Sequence, residues 1–239
     1  MFFSIKASTE IYNSSVYYYE VILLKIKELF GLEHTLAKDY LSSFTYGWEA
    51  LNGISQMIIE LSESLSEEYT ELWDKVWVHK SVKLSDTAHI KGPCIIGKES
   101  EIRHGAFIRG SVLIGEDCVI GNSTEVKNSI LFDKVQVPHF NYVGDSILGY
   151  KVHFGAGAIT SNVKSDKSLI TVKGVSEIKT NLRKFGALVG DNTEIGCNTV
   201  LNPGTVIGKS CIVYPLSNVR GVIPESYIYK SRENIIRKE

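Results

Sequence analysis

The sequence predicts an all-β solenoid, a parallel β-helix of hexapeptide repeats, with a small α-helical domain in front of it. Two observations predict this fold: apolar residues recur at helical spacing before residue 75, and large apolar residues recur every six positions after it. We expect the helical domain over residues 1–75 and the β-helix over 76–224. An insertion is expected near 163–183, and a C-terminal tail over 225–239.

The N-terminal region carries a helical pattern of apolar residues. Its members follow a period near 3.6: Trp48, Leu51, Ile54, Ile58, Leu61 and Leu65. Ser64 and Glu67 have the spacing of a capping box and predict a short helix ending near Trp73. Val16–Phe30 predicts another helix, too short and too charged to span a bilayer. We expect this domain to cap the first coil of the β-helix, where strand edges would otherwise be exposed.

The period of six defines the second domain. Ten successive positions at this spacing are large and apolar: Val78, Leu84, Ile90, Ile96, Ile102, Ile108, Ile114, Ile120, Val126 and Phe132. Mostly small residues stand four positions after each of them, and the same period of six returns between Val189 and Val219. A period of six fits neither a helix nor an isolated strand. It fits a coil of three short strands and three corners, with 18 residues per coil and one large apolar side chain pointing inward on each face.

The constant period fails at residues 138–145. Pro138 and Gly144 fall where large apolar residues are expected. The segment is rich in polar and aromatic groups, which favours a functional site over a neutral insertion. Downstream, the small residues between Gly155 and Asn162 would let a ligand approach the backbone closely.

Several motifs in and around this segment resemble one family. They are Phe107-Ile108-Arg109, Gly121-Asn122-Ser123-Thr124-Glu125-Val126-Lys127, His139-x-x-Tyr142-x-Gly144-Asp145, Gly155-Ala156-Gly157-x-Ile159-Thr160-x-Asn162, and Lys184-Phe185 before Val189-Gly190-Asp191. Together they resemble the acetyltransferase domain of bifunctional glucosamine-1-phosphate N-acetyltransferase/N-acetylglucosamine-1-phosphate uridyltransferases and related sugar-1-phosphate acetyltransferases. These proteins lie within the hexapeptide-repeat acyltransferase superfamily. The resemblance implies a left-handed β-helix, direct acetyl transfer from acetyl-CoA to the amine of an amino-sugar 1-phosphate, and a homotrimer whose active sites are shared between neighbouring subunits.

The resemblance also implies roles for individual residues. His139 would be the general base, a role for which the pKa of histidine is well suited near neutrality. Arg109 and Lys127 lie 18 residues apart, one coil, and would clamp the sugar's phosphate. The other substrate contacts would be Tyr142, His153, Asn162 and Lys184, with Glu125 orienting a neighbour. Acetyl-CoA would lie against Ala156, Gly157, Cys197, Lys209 and Pro215, with the Ala156 backbone near the acetyl group.

Two departures from the family's pattern leave the acceptor sugar open. His153 stands where the bifunctional enzymes carry an asparagine, and the insertion near 163–183 adds four lysines, Lys164, Lys167, Lys173 and Lys179. A non-catalytic protein that binds a sugar phosphate or sugar nucleotide, or serves as a scaffold, is the alternative on the same fold.

The distribution of charged residues and the spacing of cysteines and histidines narrow the possible classes of function. Residues 1–75 carry 12 acidic and 5 basic side chains, whereas 76–239 carry 15 acidic and 21 basic ones, a balance that suits anionic ligands or reflects a plain surface imbalance. The sequence contains no Cys-x-x-Cys pair, no two histidines five residues apart as a γ-type carbonic anhydrase requires, and no arginine-rich run typical of nucleic-acid binding. We therefore expect a cytoplasmic enzyme without a catalytic metal, a membrane segment or a nucleic-acid partner.

Overall fold

The computed structural model describes residues 25–174 and 177–239. The helical segments at its beginning are α1 (Ile26–Leu29), α2 (Lys38–Ser42) and α3 (Ile54–Ser62), with two 3₁₀ turns at Leu32–His34 and Gly47–Gly53. Most of the helix predicted over Val16–Phe30 lies outside the described residues. None of the helices in the described ranges is long and apolar enough to cross a membrane.

Strands make up the rest of the regular structure. In chain order they are β1 (Tyr69–Trp73), β2 (Val76–His79), β3 (Lys83–Leu84), β4 (His89–Ile90), β5 (Cys94–Ile96), β6 (Glu101–Ile102), β7 (Phe107–Ile108), β8 (Val112–Ile114), β9 (Val119–Asn122), β10 (Glu125–Leu131), β11 (Gln136–His139), β12 (Tyr142–Leu148), β13 (His153–Phe154), β14 (Ile159–Thr160), β15 (Thr171–Lys173), β16 (Glu177–Lys179), β17 (Ala187–Val189), β18 (Glu194–Ile195), β19 (Val200–Leu201), β20 (Thr205–Ile207), β21 (Ile212–Val213), β22 (Asn218–Val219), β23 (Val222–Ile223), β24 (Tyr227–Ser231) and β25 (Asn234–Arg237).

The strands wind into a three-faced parallel coil, so the predicted β-helix is confirmed. Face A consists of β2, β5, β8, the second halves of β10 and β12, β17, β20 and β23. Face B consists of β3, β6, β9, β11, β13, β18, β21 and β24. Face C consists of β4, β7, the first halves of β10 and β12, β14, β19 and β22. The chain passes from A to B to C in each coil, and we name the corners A/B, B/C and C/A.

The inner residues form the expected aliphatic ladders. Val78, Ile96 and Ile114 align on face A, and Ile102 aligns with Ile120 on face B. All of them are buried. Burying such stacked side chains removes apolar area from water at roughly 25 cal/mol per Å², which is the main stabilisation available to a coil of such short strands.

The constant period of six does fail around residues 138–145, as predicted, but the inner ladder continues through this segment. Ile108 and Val126 are 18 residues apart, but Val126 and its aligned partner Val143 are 17 apart. The C/A corner has lost one residue at Asn128, so the inner positions move by one. The inner residues here are Leu131, Val137 and Val143, aligned with Ile114, Ile120 and Val126. Pro138 and Gly144 each follow an inner residue, so they do not occupy inner positions themselves.

The helical segment packs against the side of the coil and does not cap its first turn. Helix α3 lies against β5, β8 and β10, and the 3₁₀ turn Gly47–Gly53 lies against β12. Aromatic pairs join the two parts: Phe30 with Phe132 at 5.2 Å between ring centroids, and His34 with Tyr150 at 3.7 Å. The segment therefore covers the outer side of face A, leaving faces B and C as the candidate functional surfaces.

An antiparallel strand pairs with one face at each end of the described coil. Residues 69–73, predicted as a helix, form strand β1, which pairs antiparallel with β2. The capping-box prediction fails here because the chain gains more by pairing with the open edge of β2 than by forming an isolated helical turn. In the C-terminal tail, β24 continues face B and β25 folds back antiparallel to it. The insertion is an antiparallel hairpin of β15 and β16.

Candidate functional site

His139 stands in a column of residues along the B/C corner. Backbone hydrogen bonds link the successive coils there: Phe140 N–H to Asn122 O at 2.8 Å, Gly157 N–H to His139 O at 3.0 Å, Asn198 N–H to Ala156 O at 2.8 Å and Leu216 N–H to Cys197 O at 2.9 Å. The column therefore runs Asn122, His139, Ala156, Cys197, Pro215. The structure thus brings together the predicted general base and three of the five residues predicted to contact acetyl-CoA, with Gly157 beside them.

The backbone at His139 is held firmly, while its imidazole is exposed. The His139 N–H donates to Asn141 Oδ1 at 3.0 Å, and the Asn141 Nδ2 donates to Gly155 O and Ala158 O at 2.9 and 3.0 Å. The Asn141 side chain is buried, so these bonds fix the corner. The imidazole makes no hydrogen bond within the described residues, which leaves both ring nitrogens open to a ligand. Sequence reasoning missed Asn141, whose only signal is its position two residues after the histidine.

Arg109 and Lys127 lie side by side where face C meets the C/A corner, as their spacing predicts. The Arg109 backbone N–H donates to Val126 O at 2.8 Å, which places the two cations in adjacent coils. Each already has a carboxylate partner. Arg109 Nη1 lies 2.6 Å from Glu125 Oε1, and Lys127 Nζ lies 3.3 Å from Asp145 Oδ2. A phosphate bound here would share these cations with, or displace, the two carboxylates.

Asp145 is the centre of the C/A corner, and sequence reasoning did not select it. Its carboxylate is buried and accepts hydrogen bonds from Asn128 Nδ2 at 2.8 Å and from Asn162 Nδ2. Asn128, Asp145 and Asn162 stand 17 residues apart in successive coils, so the shortened corner stacks three polar side chains directly. The 17-residue spacing was the available signal, hidden by the assumption of a constant period.

Tyr142 lies flat over its own strand and reaches this cluster. A Cβ at Gly144 would stand 2.5 Å from the Tyr142 hydroxyl oxygen, so only glycine leaves room for the ring. The hydroxyl accepts a hydrogen bond from Asn162 Nδ2 at 3.1 Å. Burial, followed by the nearby Asp145 carboxylate, raises the pKa of Tyr142, so the phenol stays protonated near neutral pH.

Face C therefore joins the two clusters. His139 marks one side of it at the B/C corner, and Lys127 with Asp145 marks the other side at the C/A corner. Phe140 and Asn141 form the corner between His139 at the end of β11 and Tyr142 at the start of β12.

Three predicted site residues stand apart from these clusters or at their margin. His153 lies on face B, where its Nδ1 is 2.7 Å from Glu194 Oε2. Lys209 lies at the A/B corner, with Nζ 3.7 Å from Asp191 Oδ2. Lys184 is exposed but close, since the following residue donates its N–H to Asn162 O at 3.0 Å. Within one chain, the geometry gives His153 and Lys209 no contact with the surface of face C.

Asp191 has a structural function that explains the position of Lys209. Its carboxylate accepts the N–H groups of Gly31 and Tyr150 at 2.7 and 2.8 Å, tying the helical segment to the coil. Burial raises the pKa of Asp191, and the N–H groups of Gly31 and Tyr150, followed by the charge of Lys209, partly offset that effect.

Three of the four cysteines are buried and one is exposed. Cys94, Cys118 and Cys211 occupy the small buried positions that the repeat predicted, and burial raises the pKa of Cys118 to about 12 and of Cys211 to about 11. Cys197 alone is exposed, in the B/C column. The described residues contain no group of three or more His, Cys, Asp or Glu side chains arranged to hold a metal.

Comparison with known proteins gives one family match and several relatives that share part of the sequence. Residues 73–175 match the family described as EIF2B subunit epsilon LbH domain, LbH denoting a left-handed β-helix. The bifunctional protein GlmU of Methanococcus vannielii is 38% identical over 112 residues, which are 46% of this chain and 27% of that protein. A bifunctional sugar-1-phosphate nucleotidylyltransferase/acetyltransferase of Sulfurisphaera tokodaii is 35% identical over 88 residues, 36% of this chain and 22% of that protein.

The predicted resemblance to GlmU-type proteins is confirmed. The chain spans about a quarter of the length of the curated relatives it matches. Among solved structures, the acetyltransferase domain of PglB from Neisseria gonorrhoeae in complex with acetyl coenzyme A is 15% identical, with a TM-score of 0.36 over 77% of this chain and 64% of that one. The likeness to GlmU-type proteins is thus one of sequence, over less than half of this chain.

Proposed function

We propose that this chain is an acetyl-CoA-dependent N-acetyltransferase that acts on the amine of an amino-sugar 1-phosphate, with His139 as general base. The column at the B/C corner carries this proposal. It aligns His139 with Ala156, Cys197 and Pro215, beside a face C surface that holds cations and a tyrosine. The sequence similarity to bifunctional sugar-1-phosphate nucleotidylyltransferase/acetyltransferases supports the same chemistry.

In this proposal the acetyl thioester lies along the B/C corner and the sugar lies across face C. An ammonium group must lose a proton to attack the thioester carbon, and the exposed imidazole of His139 is free to take it. As the new N–C bond forms, the C–S bond of acetyl-CoA breaks, and coenzyme A leaves as the thiol after taking up the proton from His139. Backbone amides near Ala156 would stabilise the oxyanion formed on the thioester oxygen.

The phosphate of the acceptor would bind Arg109 and Lys127 in this proposal. The Glu125 carboxylate is half-exposed and is the partner more easily displaced, because surface ion pairs contribute little. Asp145 is buried and hydrogen-bonded, so it would stay with Lys127. Arg109 is therefore the cation expected to gain most from the phosphate.

The proposal extends to a homotrimer in which a neighbouring subunit completes each site. His153 and Lys209, which have no contact with face C in their own chain, would then have to serve a neighbour's site or none. Light scattering that reports only monomer at micromolar concentration would contradict this part of the proposal.

The decisive experiment measures thiol release from acetyl-CoA across a panel of amino-sugar phosphates. His139→Ala should lower kcat by about 10²–10⁴-fold, the usual cost of losing a general base. Arg109→Ala should mainly raise KM, because it would bind ground and transition states alike. His104→Ala is the matched control: this exposed histidine lies in the same column, one coil before Asn122, and should leave kcat unchanged. Near-normal turnover by His139→Ala would show that another group takes the proton.

A non-catalytic function is the second candidate. The family match over residues 73–175 is to a domain of a named subunit, and both clamp cations already have carboxylate partners. If the wild-type protein acetylates no member of the panel but binds a sugar phosphate through Arg109, this candidate replaces the first.

A further inference from the structure

A basic cleft lies beneath the insertion hairpin, outside the clusters described above. It occupies about 430 Å³ between the hairpin and the lower coils of the C/A corner. Three cations line it, Lys164, Lys173 and Arg220, against one carboxylate, Asp166. Its upper limit is Ser161, the residue before Asn162. The cleft therefore opens directly beside the polar cluster around Tyr142.

A second cleft of about 630 Å³ continues the first toward the C-terminal hairpin. The two share Lys173, Arg220 and Gly221, and the second adds Lys230 and Arg232 without an acidic residue among its lining side chains. The continuous groove thus carries five cations and one carboxylate. Each cleft has the volume of an ordinary small-molecule site, about 300–1,000 Å³.

The hairpin that roofs the cleft is anchored to the coil. Ile170 and Val172 are fully buried, and within the insertion itself the Thr180 hydroxyl donates to Ile170 O at 2.7 Å. At the C/A corner, Gly204 and Gly221 have φ of +81°, and a Cβ on either would strike the hairpin at Ile170 or Lys173. Glycine at these two positions lets the described part of the hairpin lie directly on the coil.

The positive charge in the groove is poorly neutralised within the described residues. Lys164 Nζ donates to the neutral Leu169 O at 2.8 Å, and Arg220 makes no ion pair there. Lys173 lies 3.4 Å from Glu177 Oε1, but both side chains are more than half exposed, so solvent and salt screen this pair. Asp166 accepts two hydrogen bonds from Ser168, which hold its carboxylate in the loop.

We propose that this groove binds the diphosphate group of a nucleotide. Clustered cations with a planar guanidinium at the junction of two clefts suit two adjacent phosphates, because arginine contacts phosphate oxygens in pairs and lysines add point charges. A single phosphate would leave most of the groove's cations unmatched. The adjoining space beneath the hairpin has room for the nucleoside. The diphosphate belongs either to a nucleoside diphosphate-linked sugar or to coenzyme A, and both carry the same chemistry.

Direct binding tests this inference without any acetyl transfer, so it stands or fails separately from the proposed function. Titration calorimetry of the full chain would use pyrophosphate, UDP and coenzyme A as probes. Arg220→Gln and Lys173→Gln should each weaken binding of the tightest probe by about tenfold or more, since each removes a charged hydrogen-bond donor. Lys179→Gln is the matched control, because Lys179 is an exposed cation of the same hairpin that does not line either cleft.

The probes also separate the two sources of the diphosphate. Tighter binding of UDP than of coenzyme A, lost in Arg220→Gln, assigns the groove to a nucleotide-linked acceptor. Tighter binding of coenzyme A than of UDP, lost in Arg220→Gln, assigns the groove to the acetyl donor. Absence of binding by all three probes to the wild-type protein, or an equal effect of Lys179→Gln and Arg220→Gln, overturns the inference. Circular dichroism of each variant checks that the coil is intact.

Discussion

Lys127 is expected to stabilise the fold as well as to bind the phosphate, because it neutralises the buried carboxylate of Asp145. The Lys127 and Asp145 side chains are 17% and 5% exposed, and Nζ lies 3.3 Å from Oδ2. At an effective dielectric constant of about 20, such a pair gains about 5 kcal/mol of Coulomb energy. The desolvation of both groups offsets part of this gain, and Asp145 keeps two amide donors. Lys127→Met should therefore lower the free energy of unfolding by about 2–4 kcal/mol.

Urea unfolding followed by circular dichroism measures this loss. The double variant Lys127→Met/Asp145→Asn should be more stable than Lys127→Met alone, because it leaves no unpaired buried charge. Arg109→Met is the control: its ion pair with Glu125 is exposed, so its effect should fall within the error of the titration. Equal losses for Lys127→Met and Arg109→Met, or no recovery in the double variant, would refute the account of Asp145 as a buried, charged centre.

Three further perturbations test other parts of the structure. Gly144→Ala should push the Tyr142 ring off its strand and cost about 1 kcal/mol through the lost hydrogen bond to Asn162, measured by urea unfolding; unchanged stability would show that the ring can move freely. Gly121→Ala should cost more than about 3 kcal/mol in the same assay, because its Cβ would strike the backbone of the next coil; a smaller cost would mean that the coils can separate locally. A thiol reagent should label only Cys197 in the folded protein and all four cysteines in urea; fast labelling of a second thiol in the folded state would contradict the described packing.

The sequence was sufficient to predict the coil because each face repeats one simple requirement. A large aliphatic residue every six positions, with small residues near the corners, specifies three short parallel strands per turn. The same rule carried the prediction that Arg109 and Lys127 are adjacent, since one coil separates them. It also assigns Cys94, Cys118 and Cys211 to the small positions four residues after a large apolar one, and the structure buries all three.

The features that the sequence analysis missed depend on departures from that rule. The C/A corner has one residue fewer at Asn128 and again at Asp145, so the inner positions move by one after Val126 and by one more after Val143. The constant period therefore misassigned Pro138 and Gly144 as defects and did not single out Asp145. The helix predicted near Trp73 failed for a different reason, because strand pairing at an open edge outweighs a local capping signal. A local sequence pattern gives no information about the distant strand with which a segment pairs, and that strand decides whether the segment forms a helix or a strand.

The antiparallel strands β1 and β25 have a consequence for assembly at high concentration. A parallel coil offers an unpaired row of N–H and C=O groups at each end, and two such ends are complementary in direction. Head-to-tail contact between copies would be heterologous and would not close, which is the geometry of a growing filament. A strand that runs in the opposite direction cannot be continued by another coil of the same hand and register. Residues 69–73 and 234–237 thereby protect face A at the first coil and face B at the last coil from such pairing.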